Sequence, residues 1–222
     1  MVRLHFLVKQ TFVWMPLIIF AGAVALSLAI VALIPADGVI LVGANQAPLW
    51  YFFAIGLLAL HRTFPFSQAL SITRRDFWLG TIGAGTLTSA ALATLFLVGG
   101  LIENATDGWG KRGAFFFLDA FGAGSNSTAW LAYFTMALSS FVAGLAIATI
   151  HKRFGVLGLV LTLLALGVVA AAGVVAITRS ESWGPLIEAI TLAGPGVIAA
   201  WGLAATAAVA VGGYLLLRRT QP

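Results

Sequence analysis

The sequence has no cysteine and little charge, and each shortage excludes a class of protein. Without cysteine there is no disulfide framework, no thiolate metal site and no cysteine nucleophile. Charged residues make up 9% of the 222 residues and hydrophobic residues 61%, whereas soluble domains carry about 25% charged residues. Mean hydropathy is +1.04. The main solvent of this chain is therefore predicted to be a lipid bilayer.

The sequence also lacks the common catalytic motifs. It contains no G-x-x-x-x-G-K-[ST] phosphate loop, no H-E-x-x-H zinc motif and no G-x-S-x-G nucleophile turn. The basic residues that give a pI near 10.3 are scattered and form no patch for nucleic acid. We therefore expect no catalytic residue, no metal site and no cofactor in this chain, no enzymatic activity, and no nucleic-acid partner.

What the sequence does have is six apolar segments. Crossing about 30 Å of hydrocarbon takes around 20 helical residues, and each segment is long enough and contains no Asp, Glu, Lys, Arg or His. The predicted fold is an all-α polytopic membrane protein whose residues 1–222 form a single transmembrane domain. The predicted spans are 12–34, 41–60, 77–101, 129–150, 156–177 and 197–217.

The basic residues between these spans predict the orientation. Three of them, Lys111, Arg112 and Arg179, fall on one side. The other side is predicted to be cytoplasmic by the positive-inside rule, with both termini there. Its nine basic residues are Arg3, Lys9, Arg62, Arg74, Arg75, Lys152, Arg153, Arg218 and Arg219.

The connections differ in length and composition. The link 151–155 is so short that spans four and five are expected to be antiparallel neighbours. In the outer loop 102–128, the apolar stretch 114–121 is too short to cross, so we expect it either to rest on the outer leaflet or to cap the bundle. Before the last span, Gly194, Pro195 and Gly196 would break a helix, which predicts a re-entrant or interfacial element between spans five and six.

Residues 1–11 are predicted to form an interfacial helix. Leu4, Leu7 and Val8 share one helical face, while most of the polar residues lie elsewhere.

The cytoplasmic connection HRTFPFSQALSITRRD, residues 61–76, has the features of a short amphipathic helix. Thr63 is expected to cap it, Pro65 suits its first turn, and Asp76 is expected to cap the third span. An exposed helix with an apolar face requires a partner; the alternative is an ordinary loop whose arginine pair sets topology. The apolar face would consist of Phe66, Ala69 and Leu70.

The stretch ALSITRRDFWLG within and after this connection resembles ABC-2 type permeases, in which G-[ILV]-[ST]-R-R-x-[FY] follows a coupling helix. Ser71 stands where that family often has glycine. The resemblance implies that the connection docks on a nucleotide-binding ATPase subunit, with Arg3, His5 and Lys9 as secondary contacts. The implied coupling residues are Pro65, Phe66, Ser67, Gln68, Ala69, Leu70, Ile72, Thr73, Arg74 and Arg75.

The same resemblance implies an exporter in the cell membrane. This chain would pair with a second permease chain, identical or paralogous, while ATP and Mg²⁺ bind the ATPase subunit. Spans without ionisable groups favour a hydrophobic or amphipathic cargo such as a drug, lipid or peptide. The alternative is a non-transporting membrane anchor or scaffold subunit of a complex.

Small and hydroxyl residues recur at helical spacing in two spans. Such stripes either let helices pack closely or line a substrate path. They comprise Thr81, Gly85 and Thr88 in span three, and Thr135 and Ser139 in span four.

Overall fold

The computed structural model describes residues 14–34, 40, 41, 43, 45–64, 67 and 71–218, and these are almost entirely helical. The predicted interfacial helix 1–11, with Arg3, His5 and Lys9, lies outside them. The helices are α1 (Met15–Leu33), α2 (Gln46–Leu58), α3 (Arg74–Ala105), α4 (Leu118–Gly122), α5 (Asn126–Arg179) and α6 (Trp183–Arg218). A wide π-helical turn covers Ala59–Thr63, and Gly108–Arg112 is a turn in which Gly108, Trp109 and Gly110 have positive φ. Two short strands are β1 (Ile40–Leu41) and β2 (Gly113–Ala114).

Within the described part of the chain, four helices are long and apolar enough to cross a membrane, namely α1, α3, α5 and α6. A fifth apolar helix, Gln46–His61, is shorter. The helical fold class is thus as predicted, and α3 extends beyond the predicted limits 77–101 at both ends.

Glycines divide the two longest helices. A straight helix of 54 residues would be about 81 Å long, far more than the hydrocarbon thickness of about 30 Å. The helical path of α5 breaks at Gly155 (φ 69°, ψ −170°), and that of α6 breaks at Gly194 (φ 72°, ψ 165°). Only glycine adopts this region readily, because a Cβ would be crowded there. Of the predicted joint 151–155, only Gly155 is non-helical, because His151 to Phe154 continue the helix.

Contacts fix the directions of the helices. In α5 and α6, Gly196 lies beside Thr128, and Arg153 Nη1 donates to the Leu216 carbonyl at 3.1 Å, so segments 126–154 and 195–218 are parallel. Helix α3 is antiparallel to both, because Arg74 reaches the C-terminus of α6 and Trp130 reaches Thr94 near the other end. We call the two ends of the bundle the Arg74 end and the Glu103 end.

The segment 156–179 must return from the Arg74 end to the Glu103 end. Residue 153 lies at the first end, and residue 196, beside Thr128, lies at the second. Segment 156–179 is about 36 Å long at 1.5 Å per residue, whereas 183–193 is only about 16 Å long. Most side chains of both segments are exposed on the surface of the bundle.

The second predicted span, 41–60, is wrong at its start. Residues 40 and 41 form β1, which pairs in parallel with β2, Ile40 opposite Gly113 and Leu41 opposite Ala114. Helix α2 begins only after a turn in which the Gln46 N–H donates to the Gly43 carbonyl at 3.1 Å. Pro48 then lies in the first helical turn, where its missing N–H removes no helical hydrogen bond.

The core lies between α2, α3 and the first half of α5, and the closest helix crossing in it depends on two glycines. A Cβ on Gly56 would overlap the carbonyl oxygen of Phe141, and a Cβ on Gly144 would overlap that of Phe53. The backbones of α2 and α5 can approach so closely because neither position has a side chain.

Candidate functional site

The connection between α2 and α3 starts differently from its prediction. Residues Ala59–Thr63 form a π-helical turn that continues α2, and Phe64 keeps helical angles (φ −65°, ψ −48°). Thr63 therefore lies inside a continuing helix and does not cap a new one. Leu60, which is fully buried, holds this extension against the bundle.

Phe64 ties the connection to three helices. Following directly on α2, its ring packs edge-on against Phe77 of α3 with centroids 5.1 Å apart. Lys152 Nζ of α5 lies 3.9 Å from the centre of the same ring, a cation–π distance. Ser67 donates through Oγ to the Phe64 carbonyl at 2.7 Å and is 1% exposed.

The implied coupling residues divide into three groups. Pro65, Phe66, Gln68, Ala69 and Leu70 lie outside the described residues. Ser67 faces the interior of the protein, where a partner could not contact its side chain. The described remainder, close to the start of α3, consists of Ile72, Thr73, Arg74 and Arg75.

Thr73 and Asp76 of the sequence TRRD cap the start of α3. Thr73 is the N-cap: its Oγ1 accepts the Asp76 N–H at 3.1 Å and donates to Asp76 Oδ2 at 2.7 Å. The expectation that Asp76 caps the span is wrong, because the N-cap is Thr73 and Asp76 is the third helical residue, which hydrogen-bonds to that threonine. Just before it, Ser71 has φ 56°, in the left-handed region.

The two arginines of the motif have different surroundings. Arg74 Nη1 lies 3.5 Å from the Leu217 carbonyl and 3.4 Å from the Arg218 carbonyl. Together with the Arg153 contact to Leu216, this places two guanidinium groups on the C-terminal carbonyls of α6, where positive charge is favourable. Arg75 instead is exposed.

The Arg74 end is strongly cationic. Its basic residues within the described part of the chain are Arg62, Arg74, Arg75, Lys152, Arg153 and Arg218. The rings of His61 and His151 lie close by each other, with centroids 5.6 Å apart. Among the residues that the structure describes, no group of three or more histidine or acidic side chains is arranged to hold a metal ion.

A groove of about 410 Å³ opens beside Arg75, between α3, α5 and α6. Its walls are almost wholly apolar, and its polar side chains are one threonine, one tyrosine and one arginine. The lining residues are Arg75, Trp78, Leu79, Ile82, Leu138, Val142, Leu203, Thr206, Ala207, Ala210, Val211 and Tyr214.

At the opposite end, Glu103 organises the long loop. It is 5% exposed, and its Oε2 accepts the backbone N–H of Phe115 at 2.7 Å and that of Phe116 at 3.2 Å. Trp109 Nε1 donates to the same oxygen at 3.3 Å. One carboxylate thus accepts hydrogen bonds from two buried backbone N–H groups that lie outside the helices and strands.

Aromatic packing completes this arrangement, which we call the plug (residues 113–118). The ring of Phe116 lies 5.9 Å from those of Phe20 and Phe96, and the Tyr133 hydroxyl donates to the Phe116 carbonyl at 2.9 Å. Phe115 is fully buried as well. Of the two sequence alternatives for 114–121, the structure shows the cap. The role of Glu103 was not predicted from the sequence, because this residue lies 12 residues before Phe115 and no motif links the two.

The residues of the small and hydroxyl stripes make contacts within the protein. Gly85 leaves no room for a Cβ against the ring of Phe141. Thr88 donates to the Ala84 carbonyl at 2.9 Å, and Thr135 to the Ala199 carbonyl of α6 at 3.3 Å. Two further residues complete the set: Thr81, which is buried, and Ser139, which donates to the Met136 carbonyl at 3.0 Å.

Comparison of the chain with protein-family models, with curated proteins and with solved structures gave no match.

Proposed function

We propose that this protein is the membrane-spanning permease subunit of an ATP-driven exporter. It pairs with a second permease chain, crosses the cell membrane six times and keeps both termini in the cytoplasm. ATP and Mg²⁺ bind the separate ATPase subunit, which docks at the Arg74 end. The observation that carries the proposal is that Phe64, which follows directly on α2 at this cationic end, contacts Phe77 of α3 and Lys152 of α5.

The directions of α3 and of the segments of α5 and α6 support six crossings. Helices α1, α2 and α3 supply three, and segments 126–154, 156–179 and 195–218 supply three more, with 183–193 as the element before the last one. The Arg74 end faces the cytoplasm because basic residues concentrate there. Those among the described residues are Arg62, Arg74, Arg75, Lys152, Arg153 and Arg218.

Because the chain has no cysteine, single cysteines can test this topology in intact cells. A membrane-impermeant maleimide should label Ser180→Cys and leave Thr220→Cys unlabelled until the membrane is opened. Labelling of both positions in sealed cells would contradict the six-crossing topology.

The contacts of the connection between α2 and α3 explain how a movement of the docked ATPase subunit could be transmitted to the spans. A force on residues 65–70 passes through Phe64 to Phe77 and Lys152. It also reaches α3 directly, because the Ile72 N–H donates to the Ser67 carbonyl at 3.1 Å and the hydrogen bonds between Thr73 and Asp76 fix the start of that helix. Arg74 then connects the start of α3 to the end of α6.

The conformation of Ser71 supports the resemblance to ABC-2 permeases at the position where the sequence departs from it. The motif often has glycine here, and the φ of 56° is one that glycine adopts without strain. Serine in the same conformation keeps the turn that leads into Thr73. The difference in residue type therefore changes no backbone geometry.

The decisive experiment places a charge on the predicted apolar face. Phe66→Asp and Leu70→Asp should release the ATPase subunit, or uncouple its hydrolysis from transport, while the amount of protein in the membrane stays unchanged. Gln68→Asp is the matched control, because it adds the same charge to the same segment off that face. Full assembly and transport by both variants would exclude the segment as the coupling element.

The cargo is proposed to be hydrophobic or amphipathic, because the predicted spans contain no Asp, Glu, Lys, Arg or His. Reconstitution with the ATPase subunit and a screen for compounds that stimulate ATP hydrolysis tests this. A membrane anchor or scaffold would assemble with its partner, yet no compound would stimulate hydrolysis.

A further inference from the structure

We propose that the groove between α3, α5 and α6 binds one anionic phospholipid of the leaflet at the Arg74 end. The phosphate would lie on Arg75 and one acyl chain along the groove. This inference rests on the proposed placement of the Arg74 end at a membrane surface, and it does not depend on an ATPase partner.

The groove has the depth of one leaflet. Its lining residues on α6 run from Leu203 to Tyr214, about 16 Å at 1.5 Å per residue. The hydrocarbon of one leaflet is about 15 Å deep, half of the bilayer core. On α3 the lining begins at Arg75 and continues to Ile82, so the cation lies at the end that meets the headgroups.

The polar groups are placed as an amphiphile requires. The ring of Trp78 lies 6.4 Å from that of Tyr214, and this aromatic pair lies near Arg75 at the mouth, where such rings favour the headgroup region. Deeper in the groove, Thr206 donates its hydroxyl to the Gly202 carbonyl at 2.8 Å. The remaining inner surface is aliphatic, which suits an acyl chain.

Arg75 is the cation that can receive the phosphate. Its neighbour Arg74 donates to the carbonyls at the end of α6, whereas Arg75 is exposed at the edge of the groove. A guanidinium group presents several N–H donors in one plane, and these match phosphate oxygens. The groove is open sideways to lipid, because Leu79 is 57% and Val211 59% exposed.

The charge at the mouth of the groove favours a lipid over a partner helix. An apolar partner helix that covered the walls would leave the guanidinium group of Arg75 without a counter-charge. A phospholipid supplies an anionic phosphate at this position together with an acyl chain for the apolar walls.

Native mass spectrometry of the full-length protein tests the proposal. The protein is released from detergent after exchange with phosphatidylglycerol or phosphatidylcholine, and the retained lipid is measured. Wild type should retain one phosphatidylglycerol in preference to phosphatidylcholine. Arg75→Gln should reduce that retention about tenfold, the effect of losing one charged hydrogen-bonded contact, and Arg75→Lys should restore part of it.

Two further variants separate this site from general surface charge. Arg218→Gln removes the same charge at the same end outside the groove, and it should retain the lipid as wild type does. Ala207→Trp fills the groove without changing charge, and it should lose the lipid; its melting temperature in detergent checks that it folds. Glycerol phosphate, a headgroup without chains, should not displace the lipid.

Three results would each overturn the proposal. They are equal lipid retention by Arg75→Gln and Arg218→Gln, equal retention of both lipids by wild type, and displacement of the lipid by glycerol phosphate. If Ala207→Trp does not fold, the comparison of the two arginine variants decides alone. No ATPase is used, so these results are independent of those that test the permease function.

Discussion

The carboxylate of Glu103 accepts the backbone N–H of Phe115 at 2.7 Å, and this bond joins the end of α3 to the plug. The same carboxylate also accepts the next backbone N–H, that of Phe116. Both phenylalanines are buried. The plug is therefore held by the burial of its phenylalanine rings and by the hydrogen bonds from its irregular backbone to the carboxylate of Glu103.

Removing that attachment should destabilise the protein strongly. Glu103→Ala leaves two buried N–H groups without an acceptor, at about 1–3 kcal/mol each, so we expect a loss of roughly 3–5 kcal/mol in the free energy of unfolding. Glu103→Gln keeps an acceptor, and because an amide oxygen accepts more weakly than a carboxylate, it should lose about 1 kcal/mol. Unfolding in SDS titrations measures both.

Asp107→Asn is the control for this series. Asp107 is exposed at the same end, and asparagine tolerates its left-handed φ of 49°. Its effect should stay within about 0.5 kcal/mol. A loss from Glu103→Ala no larger than this would mean that the plug is held by its aromatic rings alone.

The glycine pair at the crossing of α2 and α5 should tolerate no side chain. Gly56→Ala and Gly144→Ala each place a Cβ against a backbone carbonyl of the other helix, which cannot rotate away. We expect each to destabilise the protein by about 1–3 kcal/mol, as overpacking does. Gly173→Ala is the matched control, because a Cβ there meets nothing within 4 Å; alanine should be neutral or favourable by up to about 1 kcal/mol.

Much of the helical architecture could be predicted from the sequence. Apolar length located the body of α1, α3 and the two long helices, because a span needs a fixed number of residues. The Gly194, Pro195 and Gly196 run predicted the break at residue 194, and the short link 151–155 between two apolar segments contains the break at residue 155. These signals are local, and each is complete within one stretch of chain.

The parts that could not be predicted depend on contacts between distant residues. Leu41 is as apolar as a helical residue, and only its pairing with Ala114 makes it a strand. Arg74 belongs to a motif that suggests an ATPase contact, yet its guanidinium lies on the end of α6, more than 140 residues later. In the sequence, Glu103 resembles an ordinary acidic loop residue, and only the fold brings the backbone N–H groups of Phe115 and Phe116 to its carboxylate.

The break at Gly155 should be essential for the return of segment 156–179. Its φ of 69° and ψ of −170° lie in a region that is nearly exclusive to glycine, so Gly155→Ala should cost about 1–3 kcal/mol. Gly167→Ala, within the same returning segment and with open space around it, should show no loss. Equal stability of the two variants would mean that the turn at residue 155 can adopt another conformation.

Ser71 provides a final comparison, because its left-handed conformation predicts an unusual order of substitutions. At φ 56° an L residue carries strain of roughly 1 kcal/mol, so Ser71→Gly should equal or exceed the wild type in stability. Ser71→Val should be less stable by about 1–2 kcal/mol, because a β-branched side chain is crowded by the backbone there. Ser180, with φ −85°, is the matched control: glycine should be neutral or slightly unfavourable at this position, and valine should be tolerated. If glycine lowered stability at Ser71 as much as valine does, the residue would not have the left-handed conformation, and the agreement of this turn with the glycine of the ABC-2 motif would be lost.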